Sequence, residues 1–345
     1  RGGFMGRNIR KLSLLFAFVA IVAGMYSLCN RVGGYVTPKE NSVEVVKKVD
    51  EVSTTTPTTV LTTVPTTKTK VNKTNKETVP TTSSGKNYPV IEKQFGEDGI
   101  TYDNFCVKNY TDFSLDIATE LKRGLPFKIE KNHQVQVLIF HTHTCESYLK
   151  SDTGYYPSDY YPRTTNNKEN VTAVGDEIEK QLKKAGIGVI HDKTKHDYPS
   201  YNGGYDRSYN TIQKYMEKYK GIKVVLDIHR DAIGDDTTGK VKPTFKYKGK
   251  KASQIMIMTG YQYEGGGDFP FWRDNLDFAI KLQQTAETMY PGLTRPLNFG
   301  EYTYNLNVCN GSLLIEFGTD VNTIDEVKRS GKMVGKALAK VLQNN

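Results

Sequence analysis

His143 and Glu146 stand three residues apart just beyond the apolar run Val135–Phe140. An i, i+3 pair in a tight turn can put an imidazole and a carboxylate on the same side of the backbone. Zinc accepts both ligand types, and a catalytic zinc takes three protein ligands and keeps one position open. Two later stretches supply what is missing. Leu226-Asp-Ile-His229 and Leu313-Leu-Ile-Glu316 each place one polar residue at the end of an apolar strand. His143, Glu146 and His229 are therefore the expected metal ligands. Glu316 is the expected general base and acid, because a carboxylate there costs desolvation unless it is paired or used.

Two choices stay open in this pattern. His141 and His143 are one residue apart, so a continuing strand points both to one face; one binds metal and the other orients or lines the site. Glu169, near the start of the next helix, competes with Glu146 as third ligand. Asp227 and Asp231 flank His229, and either can hold its second ring nitrogen, as metal-bound histidines usually require. Arg230 is expected to meet a substrate carboxylate or to pair with Asp231. Cys145 is a conceivable nucleophile, but that reading leaves the His/Glu set unexplained. The tyrosines between Tyr148 and Arg163 (Tyr155, Tyr156, Tyr160 and Tyr161 among them) suit a wall for sugar rings or peptide, or a packed surface loop.

The elements that must carry these residues alternate. After residue 134 the chain reads strand, helix (Val171 to Leu182), strand (Ile187–Ile190), helix (about Asp206 to Lys218), strand (Val224–His229). A strand at Ile255–Met258, a helix at Trp272–Met289 and a strand at Leu313–Phe317 follow. The last helix opens at Thr323-Ile-Asp-Glu326, which has capping-box spacing. Strands alternating with crossover helices imply a three-layer α/β fold with a largely parallel or mixed sheet, and continuous apolar runs imply strands covered on both faces. In such folds ligands bind at the carboxyl ends of strands, where all three site segments end.

Composition divides the rest of the 345 residues. Residues 1–11 read as a cytoplasmic N-terminus and 12–30 as a transmembrane helix. The nineteen residues from Leu12 to Asn30 carry no charge and span roughly 28 Å as a helix, close to the hydrocarbon thickness. Arg7, Arg10 and Lys11 precede them, which puts the N-terminus inside and the rest outside. A cleaved signal peptide is the alternative, but Ala17, Ala20 and Ala23 lie within the apolar core and Tyr26-Ser-Leu-Cys29 lacks the small residue of a lipoprotein signal. Residues 31–87 read as a tether. From residue 52 it is a Ser/Thr/Pro/Lys tract unable to bury enough surface to fold, with a reach on the order of 35 Å. Residues 88–133 form a lead-in with a weak helix near Leu115–Leu125, and 134–345 the catalytic domain.

Residues 1–86 carry 13 Lys/Arg against 5 Asp/Glu, so +8 of the net +9 sits there. The folded part is close to neutral, which argues against nucleic acid as a partner. Four scattered cysteines (Cys29, Cys106, Cys145, Cys309) do not make a disulfide scaffold.

Phe140-His-Thr-His-Thr-Cys-Glu-Ser-Tyr148, Asp227-Ile-His-Arg-Asp-Ala232 and Leu314-Ile-Glu-Phe-Gly318 resemble the stage II sporulation protein P family of endospore-forming bacteria. Val107-Lys-Asn-Tyr-Thr-Asp112, Tyr205-Asp-Arg-Ser208 and the anchor-plus-tether layout extend the resemblance over roughly residues 100–345. It implies a membrane-anchored zinc peptidoglycan hydrolase with a fold of the zinc amidase/carboxypeptidase type. The implied activity is that of an N-acetylmuramoyl-L-alanine amidase, removing stem peptides from glycan strands during forespore engulfment, with an additional endopeptidase activity allowed. It also implies a place in the mother-cell membrane facing the intermembrane space, with sporulation proteins D and M as partners. Zinc binding maps to the His-Thr-His-x-x-Glu segment and His229, catalysis to Glu316 with His141 and Arg230 beside it. Zinc amidases take their glutamate ligand near the first helix, so Glu146 and Glu169 both stay open. Rival readings are a zinc endopeptidase cutting stem-peptide cross-links and a non-enzymatic wall-binding tether.

Overall fold

The computed structural model describes residues 85–344. The expected cytoplasmic segment, transmembrane helix and almost all of the tether lie outside the described residues, as does Cys29. No described helix is long and apolar enough to cross a membrane.

Eight strands form the main sheet, in the lateral order β2 (Ile100–Tyr102), β3 (Phe105–Asn109), β12 (Leu297–Gly300), β11 (Ile255–Gly260), β13 (Ser312–Thr319), β7 (Val224–Asp231), β4 (Val135–Phe140) and β6 (Gly188–His191). The sheet is mixed. Strands β13, β7, β4 and β6 run parallel to one another, as do β3, β12 and β11, and the two blocks meet antiparallel at β11 and β13.

Alternation along the strands sorts their side chains onto two faces. Val137, Ile139, Val224, Leu226, Ile228, Leu313, Ile315 and Phe317 point into one core. Helices α2 (Thr172–Lys184), α4 (Trp272–Met289) and α5 (Ile324–Gln343) pack on it through residues such as Ile178, Leu282 and Leu338, all without solvent exposure. Leu138, Phe140 and Val225 point the other way, against Ile212 of α3 (Gly204–Lys218). Each such side chain contributes about 1.5–3 kcal/mol by leaving water. The three layers are the expected ones, and Thr323 and Glu326 close the capping box at the start of α5.

The segment read as a lead-in is part of the fold. It supplies β1 (Asn87–Lys93), β2, β3 and α1 (Ile117–Arg123), and β3 pairs with β12. A second sheet, in the order β10 (Lys250–Ser253), β9 (Gly239–Tyr247), β1 and β5 (Tyr155–Pro157), with β8 (Gly234–Asp235) beside β9, went unread because its strands are rich in lysine and tyrosine. Lys242 of β9 is buried and reaches Asp152 (3.0 Å) and Glu326 (3.1 Å), which ties this sheet to α5. The tyrosine loop belongs here. Tyr148 and Tyr156 are buried, whereas Tyr155 and Tyr161 are exposed, so the loop is partly packed and partly open to solvent.

Candidate metal centre

Strand β4 ends in a tight turn in which the Glu146 amide donates to the His143 carbonyl at 3.1 Å. The turn brings His143 Nδ1 to 3.6 Å from Glu146 Oε1. On β7, His229 places its Nδ1 3.5 Å from Glu146 Oε2, and the rings of His143 and His229 lie 5.1 Å apart at 81°. One ligand atom from each of His143, Glu146 and His229 lies within 4.8 Å of the others. All three residues are buried.

The His229 imidazole would be lowered by burial, but Asp227 and Glu146 outweigh it and hold it well above its usual range, so this ring must give up a proton to ligate an ion. Burial pushes the His143 imidazole down to about 4, so at neutral pH it is the uncharged form that donates a lone pair. Burial would raise the Glu146 carboxyl, but His229 and Arg230 outweigh it and hold it low. His229 Nε2 lies 2.8 Å from Asp227 Oδ1, close enough for charge attraction but without hydrogen-bond alignment. Asp227 accepts from the Thr142 amide (2.9 Å) and hydroxyl (2.6 Å), locking the first turn residue to β7. Three buried nitrogen and oxygen donors of this kind fit a divalent ion such as zinc.

Glu316 completes the site through sheet register. Strands β13 and β7 are parallel, with Glu316 directly beside His229. Gly318 follows with φ 61°, and a Cβ there would come within 2.3 Å of Asn322 Oδ1, so the bulge that ends the register next to Glu316 requires glycine. Glu316 Oε2 is buried without a hydrogen-bond partner. Burial pushes the carboxyl up to about 8, with Asp231 and Glu146 adding to the rise and His229 and Arg295 opposing it.

Other sequence candidates fall elsewhere. The expectation that His141 and His143 share a face assumed a continuing strand, and the turn breaks that alternation. His141 is fully buried, with Nδ1 2.9 Å from the Ile228 carbonyl oxygen and Nε2 2.8 Å from His191 Nε2. Both ring nitrogens are engaged, so it braces β4 and does not enter the cage. Gly175 makes room for this pair, since a Cβ there would lie 2.4 Å from His191 Nε2. Glu169 pairs with Lys150 at 3.2 Å and stays out of the cage. Arg230 is also a correction in its pairing with Asp231. Its buried guanidinium donates to the carbonyls of Ser147, Pro162 and Asp231, and its backbone amide faces Glu146 Oε2 at 3.2 Å. Three of its five guanidinium N–H groups thus hold the ligand turn, and its side chain is buried. Asp231 pairs with Arg295 instead, at 2.7 Å.

Three features were not anticipated. Tyr201 stacks on His143 with centroids 4.5 Å apart, and Tyr205 meets the same ring edge-on at 5.5 Å. Asp197, paired with Arg163, accepts from the Cys145 amide at 3.1 Å and so pins the turn. Asp176 and Glu179 surround His191, but Lys193 and Lys183 already neutralise them. Cys106, Cys145 and Cys309 are buried free thiols. Burial and Asp197 push the Cys145 thiol up to about 12, which leaves no thiolate for nucleophilic attack at neutral pH.

The face that carries His229 and Glu316 continues across the sheet. Met256 lies opposite Glu316, Asn298 beside Met258, and Lys108 beside Asn298. A groove of about 550 Å3 runs over Met256, Asn298 and Lys108, bordered by Asp231, Arg295 and Phe95. It approaches the cluster through Met256, the register neighbour of Glu316, and through Asp231 on β7.

A three-layer α/β domain with a His–Glu–His cluster at its strand ends and a carboxylate beside it defines the class: an α/β domain with a candidate site for a divalent metal. The chain belongs to the stage II sporulation protein P family, whose sequence profile matches residues 25–341. It is 30% identical over 210 residues to the stage II sporulation protein P of Bacillus subtilis (strain 168), covering 56% of this chain and 48% of that protein. The chain thus spans about half the length of that curated relative.

Solved structures similar to it include the N-acetylmuramoyl-L-alanine amidase AmiC2 of Nostoc punctiforme (12% identity, 63% of this chain and 97% of that one, TM-score 0.36). The CwlD amidase from Clostridioides difficile, solved in complex with the GerS lipoprotein, gives 10% identity, coverage of 61% and 100%, and a TM-score of 0.38. A metallo-carboxypeptidase from Burkholderia cenocepacia gives 9%, coverage of 63% and 60%, and 0.36. Likenesses this weak leave the site to be judged on this chain's own residues.

Proposed function

We propose that the chain is a zinc-dependent peptidoglycan hydrolase that cleaves the amide between the glycan and the stem peptide. The observation that carries this reading is the register of β13 on β7, which sets an unpartnered buried carboxylate beside the His–Glu–His cage. Family membership supports the wall as substrate.

His143, Glu146 and His229 would hold the ion, and Asp227 would attract the His229 ring. A bound zinc ion supplies Lewis-acid polarisation of the scissile carbonyl and makes water a stronger acid. Glu316 takes the proton of the attacking water at a free Oε2 and returns it to the departing amine of the stem peptide. Its raised pKa keeps both protonation states accessible near neutrality, and a divalent cation nearby would lower that value. Tyr201 and Tyr205 hold the His143 ring and exclude water from one side of the cage. On the same sheet face, the groove over Met256, Asn298 and Lys108 offers room for further parts of a polymeric substrate.

The expected membrane helix and tether would keep this domain on the outer side of the mother-cell membrane, working with sporulation proteins D and M. Digestion of purified sacculi, with and without a chelator and followed by product masses, tests the activity. Intact stem peptides released only without chelator are the expected outcome. Fragments cut within the stem would replace the amidase reading with the endopeptidase one. No digestion at all would favour the wall-binding tether.

A further inference from the structure

A second concave site lies on the helix-covered side of the main sheet, away from Glu316, and is independent of the reading above. It is a pocket of about 370 Å3 between the β9–β10 hairpin, the end of α4 and one face of α5. Lys248, Lys250, Arg329, Lys332 and Lys336 line it, and no aspartate or glutamate does. Its floor is apolar, with Tyr247 and Tyr290 packed edge to face at 5.2 Å beside Met333.

Chance does not readily segregate charge in this way. Residues 87–345 carry a net charge of only +1, yet five cations converge here. Lys251, on the same hairpin, is satisfied by Glu92 (2.6 Å) and Asp152 (3.1 Å). Among the described residues, the five lining cations have no carboxylate within ion-pair distance. Arg329 is held in place by its Nε–H, which donates to the Lys251 carbonyl at 2.6 Å. Arg329, Lys332 and Lys336 recur at helical spacing along about 10 Å of α5.

We propose that this pocket binds consecutive phosphates of an anionic phosphodiester polymer, of the kind made of glycerol phosphate units. A phosphodiester carries one negative charge, so five cations match several in a row and exceed what one headgroup supplies. Bound there, the polymer would hold the hydrolase on the wall independently of the groove that takes the glycan and its peptide.

The test is titration calorimetry of the full chain in nonionic detergent with short oligo(glycerol phosphate) as probe, at low and raised salt. Binding that weakens with salt is expected, because each neutralised phosphate releases a counterion. Lys332→Gln with Lys336→Gln should weaken it on the order of 25-fold, about fivefold for each lysine near an anionic partner, and flatten the salt dependence. Lys214→Gln with Lys218→Gln, on α3, makes the same change in net charge and should leave binding unaltered. Equal weakening by both pairs, or no binding by the unmodified chain, overturns the site. Monomeric glycerophosphoglycerol binding as tightly as the oligomer overturns the polymer.

Discussion

Replacing Glu316 by glutamine keeps size and shape and removes one titration. In the folded chain without metal, burial raises this carboxyl from 4.5 to about 8. A group that binds its proton more tightly when folded favours folding at low pH, so its contribution is fully present below about 4.5 and is lost as pH rises through about 8. Each pKa unit is worth about 1.4 kcal/mol, so the ionised carboxylate costs about 4 kcal/mol of stability at pH 8 and almost nothing at pH 4. Glutamine carries no such dependence. Its amide nitrogen brings a desolvation cost of about 1–3 kcal/mol at every pH, which shifts the curve without tilting it. Urea unfolding of chelator-treated protein between about pH 5 and 8 should therefore show a steeper loss of stability in the unmodified chain than in Glu316→Gln. With zinc restored, the variant should bind metal at unchanged stoichiometry and digest sacculi about 100- to 10,000-fold more slowly. Parallel stability curves would show that the carboxylate is solvated. Undiminished digestion would remove it from the chemistry.

His229→Ala should abolish stoichiometric zinc, measured by elemental analysis of dialysed protein, and digestion with it, since two ligands do not retain a catalytic ion. Asp227→Asn should lower zinc affinity about 10- to 100-fold in competition with a chromogenic chelator, because it removes the charge beside the His229 ring and half-releases Thr142. Far from the site, Asp277 is paired with Arg123 at 2.7 Å but crowded by Glu120. Burial pushes it up to about 7, so stability should fall as pH rises from about 4 to 7, and that slope should shrink in Asp277→Asn when unfolding is followed at each pH. Gly175→Ala drives a methyl into His191 and should cost about 1–3 kcal/mol in urea unfolding, unless the His141–His191 pair is looser than its 2.8 Å contact indicates.

The legible parts of the sequence were those where one period dominates. Apolar runs such as Val137–Phe140 and Val224–Ile228 announce strands because both faces are covered, and the capping box at Thr323 marks a helix start chemically. His143, Glu146, His229 and Glu316 were legible because a polar residue at the end of such a run needs a reason. The structural part of Arg230 was not legible, because nothing in Asp-Ile-His-Arg-Asp shows that three carbonyls from 147, 162 and 231 accept from it. Tyr201 and Tyr205 were missed because they come from the start of α3, some 60 residues beyond the ring they cover. The second sheet was missed because its strands are edged with lysines, which from composition read as loop.

The reversal of strand direction between β11 and β13 explains why the site lies where it does. Had the sheet stayed parallel beyond β13, the next strand would end beside Glu316 and its following loop would crowd the carboxylate. Because β11 runs the other way, it enters at that edge, and Met256 lies opposite Glu316 near the strand's beginning. Here the parallel block presents the cage at its carboxyl ends, the reversed block leaves a groove floored by Met256, Asn298 and Lys108, and Glu316 stands at the seam. Glu316, whose buried Oε2 has no hydrogen-bond partner, therefore stands where the two blocks meet, beside His229 on one side and Met256 on the other.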